Sequence, residues 1–293
     1  GVQTCALPIY GNSEIDRMFA TRGIELIKNP YKRRLTKDET IQHLQGADAI
    51  LAGLEPLDEE VFEACPDLKV IARIGIGMDN VDVEGARQRG IKVLNPPEGP
   101  TDAVAEMTLS ALLAICHNII PSNQDIHDKQ WNKYLGKSIS ELKILVVGYG
   151  HIGRRVADLF KSFDADVMIY DKYSEGSTCT LEEGLKKADV ISLHVSGEEE
   201  VLSSDDFSFM KDGVIILNSA RGGLINEKGL YDSLKTGKVA WFWGDALWQE
   251  PYKGILTECK NAVLTPHIST YTTKCRFNME KQAVENLFRD LRV

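Results

Sequence analysis

Cysteine is scarce and never paired at C-x-x-C spacing, so neither a zinc knuckle nor a dithiol redox motif is available to this chain of 293 residues. Cys5, Cys65, Cys116, Cys179, Cys259 and Cys275 are widely scattered, as expected of free thiols in a reducing compartment. No apolar run approaches the ~18 residues that a membrane helix needs, and the start of the chain lacks the charged-then-apolar order of a signal peptide. No membrane partner and a cytoplasmic location are therefore expected. Basic residues are also in deficit. Lys and Arg number 34 against 43 Asp and Glu, a formal charge of −9, which excludes the clustered cationic surface that nucleic acid requires. No metal site, internal repeat or low-complexity tract is expected. With 43% apolar and 26% charged residues, the chain is long and apolar enough for two packed domains. Small molecules are the expected partners, and in an acidic protein an acidic substrate depends on a few local arginines.

Short apolar runs alternate with amphipathic stretches from Ala47 onward, the pattern of β-α units building a parallel sheet. A first set has strands at 49–52, 70–73 and 91–94, with helix-like segments at 58–64 and 83–89, and ends at Asn95-Pro96-Pro97, where consecutive prolines suit a hinge. A long apolar helix is expected over 102–120, buried and available to a subunit contact. A second set places strands at 144–147, 167–170, 190–194, 214–217, 239–243 and 262–264. A closing helix over 272–293 carries Met279, Ala283, Val284, Leu287 and Phe288 at near-helical spacing and could pack on the first set. Residues 1–9 are anomalous, because Pro8 interrupts any opening strand. They read either as sequence foreign to the fold or as a poor edge strand.

Strand 144–147 runs directly into Gly148-Tyr149-Gly150-His151-Ile152-Gly153, and Val156, Ala157, Leu159 and Phe160 then take up helical spacing. A lone G-x-G-x-x-G is weak evidence, but here it has the strand, turn and helix of a dinucleotide fingerprint. Gly148 permits the tight turn, Gly150 admits a pyrophosphate, Gly153 lets helix and strand pack closely, and the helix N-terminus attracts phosphate. Asp171 closes the next strand, where a carboxylate accepts ribose hydroxyls and repels a 2′-phosphate. NAD is thus favoured over NADP, although Lys172 would partly screen that repulsion. The alternative is an ordinary α/β turn whose glycines only close a bend.

Reduction of a keto acid requires a proton donor, a cation to polarise the carbonyl oxygen and an anchor for the carboxylate. Arg221 follows strand 214–217 at the carboxyl end, where open α/β sheets hold ligands, and its guanidinium can fork onto oxygen pairs. His267 follows strand 262–264 and titrates near neutrality. Glu250, before Pro251, could hold the imidazole and raise its pKa. Taken singly, each has a plain alternative: a structural histidine, a surface ion pair, a solvated carboxylate.

Their order and spacing, together with the strings Arg73 to Asp82 (RIGIGMDNVD), Thr101 to Glu106 (TDAVAE), the glycine fingerprint, Ser192-Leu193-His194, Asn218 to Gly223, Asp245 with Glu250-Pro251, and Thr265-Pro266-His267, resemble the D-isomer-specific 2-hydroxyacid dehydrogenase family over nearly the whole chain after Asp38. The resemblance implies an α/β fold of two Rossmann-like or flavodoxin-like doubly wound parallel-sheet domains. A nucleotide domain over 97–268 would be inserted in a substrate domain of 1–96 plus 269–293. It implies Arg221, Glu250 and His267 as catalytic residues, and a substrate loop of Arg73, Gly75, Ile76 and Gly77 whose amides hold the carboxylate. Cofactor contacts are implied at Gly148, Gly150, His151, Ile152, Gly153, Asp171, His194, Ser219, Ala220 and Asp245, with Asp245 on the nicotinamide carboxamide. It further implies NAD as cofactor, a small 2-hydroxy or 2-keto acid as substrate, and a homodimer.

Within the family the Arg73 string is most similar to the 3-phosphoglycerate dehydrogenases, where a positive charge near this loop helps to hold phosphate. Glu55 departs from that pattern, standing where those enzymes often carry a further arginine. Ser269-Thr270 replaces small glycines, and Trp241, Trp243 and Trp248 would narrow the pocket. The regulatory serine-binding domain of longer phosphoglycerate enzymes is expected to be absent. Hydroxypyruvate or glyoxylate reduction and D-lactate oxidation are the alternatives of the same class. A non-enzymatic NAD-sensing corepressor is the alternative of another class, and formate oxidation is disfavoured by Glu250.

Overall fold

Strands of a parallel sheet are covered on both faces, so they read as unbroken apolar runs rather than alternating ones. The strands β3 (Ala49–Ala52) and β4 (Val70–Arg73) are buried at every position. In the computed structural model, which describes residues 2–4, 13–96, 99–197 and 199–291, the chain opens with β1 (Val2–Thr4), α1 (Ser13–Ala20), β2 (Leu26–Lys28) and α2 (Lys37–Leu44). After β3 come α3 (Glu59–Ala64), β4, α4 (Val83–Gln88), β5 (Lys92–Leu94), α5 (Thr101–Cys116) and α6 (Ile119–His127). Next are β6 (Lys143–Val147), α7 (His151–Ser162), β7 (Asp166–Tyr170), α8 (Leu181–Lys187), β8 (Val190–Leu193) and α9 (Asp206–Phe209). The chain closes with β9 (Val214–Asn218), α10 (Glu227–Thr236), β10 (Val239–Gly244), β11 (Ala262–Leu264) and α11 (Thr273–Leu291). It divides into two compact units, Gly1–Pro100 with Thr272–Val293, and Thr101–Tyr271.

The first unit holds a parallel sheet in the order β2-β1-β3-β4-β5. β1 pairs with β2 on one side and β3 on the other, so the alternative of a poor edge strand is corrected for residues 2–4. Pairing on both sides comes from partners distant in sequence, which local composition does not reveal. Cys5, Pro8 and the rest of 5–9 lie outside the described residues, as does Pro97 of the expected hinge. Helix starts are set by side-chain caps. Thr36 and Glu39 form a reciprocal capping box at α2, and Asp58 and Asp82 accept from the third-position amides of α3 and α4. α11 lays Cys275, Met279, Ala283, Val284, Leu287 and Phe288 inward, with Phe288 edge-on to Phe19 of α1 at 4.9 Å.

The second unit's sheet runs β11-β10-β9-β8-β6-β7, again all parallel. Read from β7, this is the 2-1-3-4-5 winding with a sixth strand added, and its order reverses between β6 and β8, the switch point where such sheets bind ligands. Leu145, Leu193, Ile216 and Phe242 pack one face, with Leu230 of α10. Val146, Leu217 and Trp243 pack the other, with Leu112 of α5 and Val156 and Phe160 of α7. The long helix expected over 102–120 stops at Cys116. Asn118 takes a left-handed φ of 52°, and α6 restarts at Ile119.

Candidate active site

Register in the second sheet brings the end of every strand into one row. Val147 faces Tyr170 and Leu193, Leu193 faces Asn218, Asn218 faces Gly244, and Gly244 faces Leu264. The residues one step beyond that row are Asp171, Gly148, His194, Ser219, Asp245 and Thr265. Parallel pairing therefore lines six positions, drawn from residues 148 to 265, along the carboxyl edge of one sheet.

Gly148 has φ 93°, and a Cβ there would lie 2.7 Å from the carbonyl of His194 and 2.8 Å from the amide of Val195. The neighbouring strand end thus excludes any side chain. A Cβ on Gly153 would collide with the carbonyl oxygen of Gly148, whereas at Gly150 nothing stands within 4 Å. Gly150 is the N-cap of the twelve-residue α7 and supplies no capping side chain, so the first amides, at His151 and Ile152, are available to an anion. A cradle that a Cβ would fill, beside an uncapped helix start, fits the pyrophosphate of a dinucleotide. Asp171 faces this loop: Oδ2 accepts from the Tyr149 amide at 2.6 Å and Oδ1 from that of Tyr173 at 2.8 Å. Burial acts to raise its pKa. The amides of Tyr149, Tyr173 and Ser174 and the charge of Arg154 outweigh it and hold the carboxyl below its ordinary value. Lys172 is exposed and paired with Glu199 at 3.3 Å.

His194 bridges two hydroxyls, with Nε2 2.8 Å from Ser192 Oγ and Nδ1 3.4 Å from Ser219 Oγ. Burial pushes its pKa down to about 3, so it is a neutral hydrogen-bonding group across the physiological range. Asn218 is fully buried. Its Nδ2 donates to the Arg221 carbonyl at 2.7 Å, and its Oδ1 accepts from the Ala220 amide at 3.0 Å. The loop of Ser219, Ala220 and Arg221 is held from below by one side chain, and Arg221 stays partly exposed with Nη1 on the Ala220 carbonyl.

Asp245 is 1% exposed and organises the segment after β11. Its Oδ1 accepts from Thr265 Oγ1 at 2.6 Å and the Ile268 amide at 2.9 Å, and Oδ2 from the Ser269 amide at 2.8 Å. Its own carbonyl accepts from the His267 amide at 2.9 Å. Between these anchors His267 adopts φ 53°, which presents its ring to Glu250, with Nδ1 2.8 Å from Oε1. The bond to Glu250 raises the His267 pKa against burial and the nearby Arg221 charge, and the same bond lowers the pKa of Glu250. The pair is about 40% exposed, so solvent can reach it.

In the first unit, Gly75, Ile76 and Gly77 follow β4, and Ile76 is exposed. Among the described residues their amides donate to no protein acceptor, so three N–H groups remain for an anion. Arg73 does not reach solvent. It is 5% exposed, with Nε donating to the Gly77 carbonyl at 2.9 Å and Nη1 to the carbonyls of Ala52, at 3.2 Å, and Gly53. Two of the three tryptophans expected to narrow the pocket belong to the core instead. Trp243 is wholly buried, Trp241 packs on the same cluster, and Trp248 leans on Phe242 and Tyr252 with Nε1 bonded to the Ile225 carbonyl. Asn218 and Thr265 stand inside the strings 218–223 and 265–267 without a sequence signal of their own. Their side chains hold backbone, and no residue type signals that use.

A family model described as "D-isomer specific 2-hydroxyacid dehydrogenase, NAD binding domain" matches residues 109–269. Among curated relatives, the chain is 34% identical to the hydroxypyruvate reductase of Blautia hydrogenotrophica over 270 residues, covering 85% of this chain and 84% of that one. It is 32% identical to the D-3-phosphoglycerate dehydrogenase of Archaeoglobus fulgidus, covering 87% of this chain but 52% of that one. Among solved structures, the TT0316 protein of Thermus thermophilus superposes with a TM-score of 0.90 at 33% identity, over 99% of this chain and 96% of that one.

Proposed function

The chain belongs to the D-isomer specific 2-hydroxyacid dehydrogenases, NAD-dependent oxidoreductases acting on CH–OH donors, and from this premise we propose that its substrate is a small unphosphorylated 2-keto acid, hydroxypyruvate or glyoxylate, reduced to the 2-hydroxy acid. One observation carries the choice over 3-phosphoglycerate: the cation that suggested a phosphate site, Arg73, is buried with Nε and Nη1 on backbone carbonyls. Glu55, just beyond β3, is buried too and adds a carboxylate rather than a cation. Similarity to the hydroxypyruvate reductase of Blautia hydrogenotrophica supports the same class.

The amides of Ile76 and Gly77, with Gly75 beside them, bind the substrate carboxylate. Arg221 polarises the ketone oxygen, and His267 delivers a proton to it. Glu250 serves this step by accepting from Nδ1, which fixes the tautomer and leaves Nε2 as the donor. Gly148, Gly150, His151, Ile152 and Gly153 receive the cofactor pyrophosphate, Asp171 its adenine ribose, and His194, Ser219 and Ala220 line the same edge. Asp245 retains acceptor capacity for the nicotinamide carboxamide while it holds the His267 segment. NAD, when bound in its reduced form, supplies the hydride.

A homodimer is part of this proposal. Ile119, Ile126, Trp131 and Leu135 are 56, 55, 81 and 100% exposed, a run of apolar side chains that a second copy would cover. Sedimentation at micromolar concentration should give twice the chain mass. A cytoplasmic location suits the free thiols Cys65, Cys116, Cys179, Cys259 and Cys275.

The deciding assay is NADH oxidation at 340 nm with hydroxypyruvate, glyoxylate, pyruvate and 3-phosphohydroxypyruvate. The highest kcat/KM should fall on hydroxypyruvate or glyoxylate. A clear preference for the phosphorylated acid would refute the substrate assignment while leaving the dehydrogenase intact.

A further inference from the structure

A guanidinium in a protein interior keeps its charge, so it must be matched by acceptors, and the acceptors it chooses show what it is for. Those of Arg73 Nε and Nη1 are three main-chain carbonyls on two different loops: Ala52 and Gly53 at the end of β3, and Gly77 after β4. A second side chain makes the same crossing in the same direction. Asn80, from the loop after β4, donates through Nδ2 to the carbonyls of Glu55 at 2.6 Å and Gly53 at 3.3 Å. The main chain repeats it, with the Leu57 amide on the Asn80 carbonyl at 2.9 Å and the Asp82 amide on the Leu57 carbonyl at 2.8 Å. Beneath this double tie the Glu55 side chain is fully buried. Its Oε1 accepts from the Gly53 amide at 2.8 Å, while Oε2 has no hydrogen-bond partner among the described residues. Burial raises the pKa of this carboxyl, and the Gly53 amide and the charge of Arg73 only partly oppose that rise.

We propose that Arg73 and Asn80 are positioning residues for substrate binding: they clamp the loop after β3 to the loop after β4, where the buried Glu55 side chain holds the Gly53 amide, and so keep the amides of Gly75, Ile76 and Gly77 convergent on a carboxylate. Gly77 lies four positions after Arg73, and Arg73 Nε bonds its carbonyl. Closing the segment onto its own origin turns its carbonyl oxygen inward and leaves the intervening N–H groups without internal partners. Lysine cannot substitute, because a single ammonium on a flexible stem does not span carbonyls on two loops in a fixed fork. This inference rests on the reading that these amides receive the substrate carboxylate.

The experiment compares wild type, Arg73→Lys and Asn80→Ala, using hydroxypyruvate, 3-phosphohydroxypyruvate and hydroxyacetone, which lacks the carboxylate. Amide hydrogen exchange over residues 74–80 and the melting temperature are measured on each protein. Both variants should raise KM for the two acids by the same factor, on the order of tenfold, the scale of one or two lost hydrogen bonds. They should leave kcat within about threefold, leave hydroxyacetone and NADH binding unchanged, and speed exchange over 74–80. Arg73→Lys raising KM for the phosphorylated acid alone would make Arg73 a phosphate ligand and overturn the clamp. Faster exchange or a lower melting temperature with both KM values unchanged would reduce it to a stabilising contact and overturn it equally. A wild type that handles hydroxyacetone as well as hydroxypyruvate would instead refute the carboxylate reading beneath the proposal, before any variant is compared.

Discussion

Glu250 Oε1 lies 2.8 Å from His267 Nδ1, and this contact raises one pKa while lowering the other. A proton on His267 is required to reduce a ketone, so the reduction rate should fall as pH rises through the elevated histidine pKa, above the ordinary value of about 6.5. Glu250→Gln removes the carboxylate charge and should move that limb to lower pH. A kcat/KM profile for Glu250→Gln that overlays wild type would remove the pair from proton transfer. The linkage to stability has two signs. The raised His267 pKa contributes stability that is present below pH ~6.5 and lost as pH rises through the folded value. The lowered Glu250 pKa contributes stability that is present above pH ~4.3 and lost as pH falls through the folded value. The pair is therefore most stabilising between those limits, and its partial exposure keeps the effect small.

His267→Ala should lower kcat by roughly 10² to 10⁴, the range of general acid catalysis, with NADH affinity within about twofold of wild type. Fluorescence titration of NADH separates the two effects, and undiminished turnover would take His267 out of the mechanism.

Asp171→Ala should weaken NADH by about tenfold or more and NADPH much less. The carboxylate that would meet ribose hydroxyls also holds the Tyr149 amide inside the glycine loop, so removing it loosens the pyrophosphate cradle as well. Equal losses for the two cofactors would show that loop support outweighs ribose recognition.

Gly148→Ala should abolish NADH binding, because its Cβ would sit 2.7 Å from the His194 carbonyl in a backbone region with φ 93°. Its melting temperature should fall too, since the β6 and β8 ends must separate. A Gly148→Ala protein that melts and binds like wild type would contradict the close approach of the two strand ends.

Much of the second unit is readable along the chain because its signals are local. Glycines at 148, 150 and 153 sit between a buried strand and an amphipathic helix, and each later strand ends within a residue or two of where its apolar run ends. The first forty residues were unreadable for the opposite reason. β2 has only three residues, half-buried to exposed, and β1 gains its place from pairing with both β2 and β3. α2 announces itself only through the capping box of Thr36 and Glu39, because its apolar periodicity is weak.

By itself the sequence determined the fold class, the NAD cofactor and the dehydrogenase family, since all three rest on short strings whose glycines, charges and strand ends act over a few residues. Tertiary structure alone decided what the ambiguous side chains do. Arg73 and Glu55 read as a phosphate ligand and its antagonist until two loops meeting beyond β3 and β4 enclose both, so that the arginine holds carbonyls and the glutamate lies beneath it. Trp243 reads as a pocket wall until the sheet closes over it. Whether a charge faces a ligand or a carbonyl depends on what a distant segment places opposite it, and that is fixed only when the strands pair.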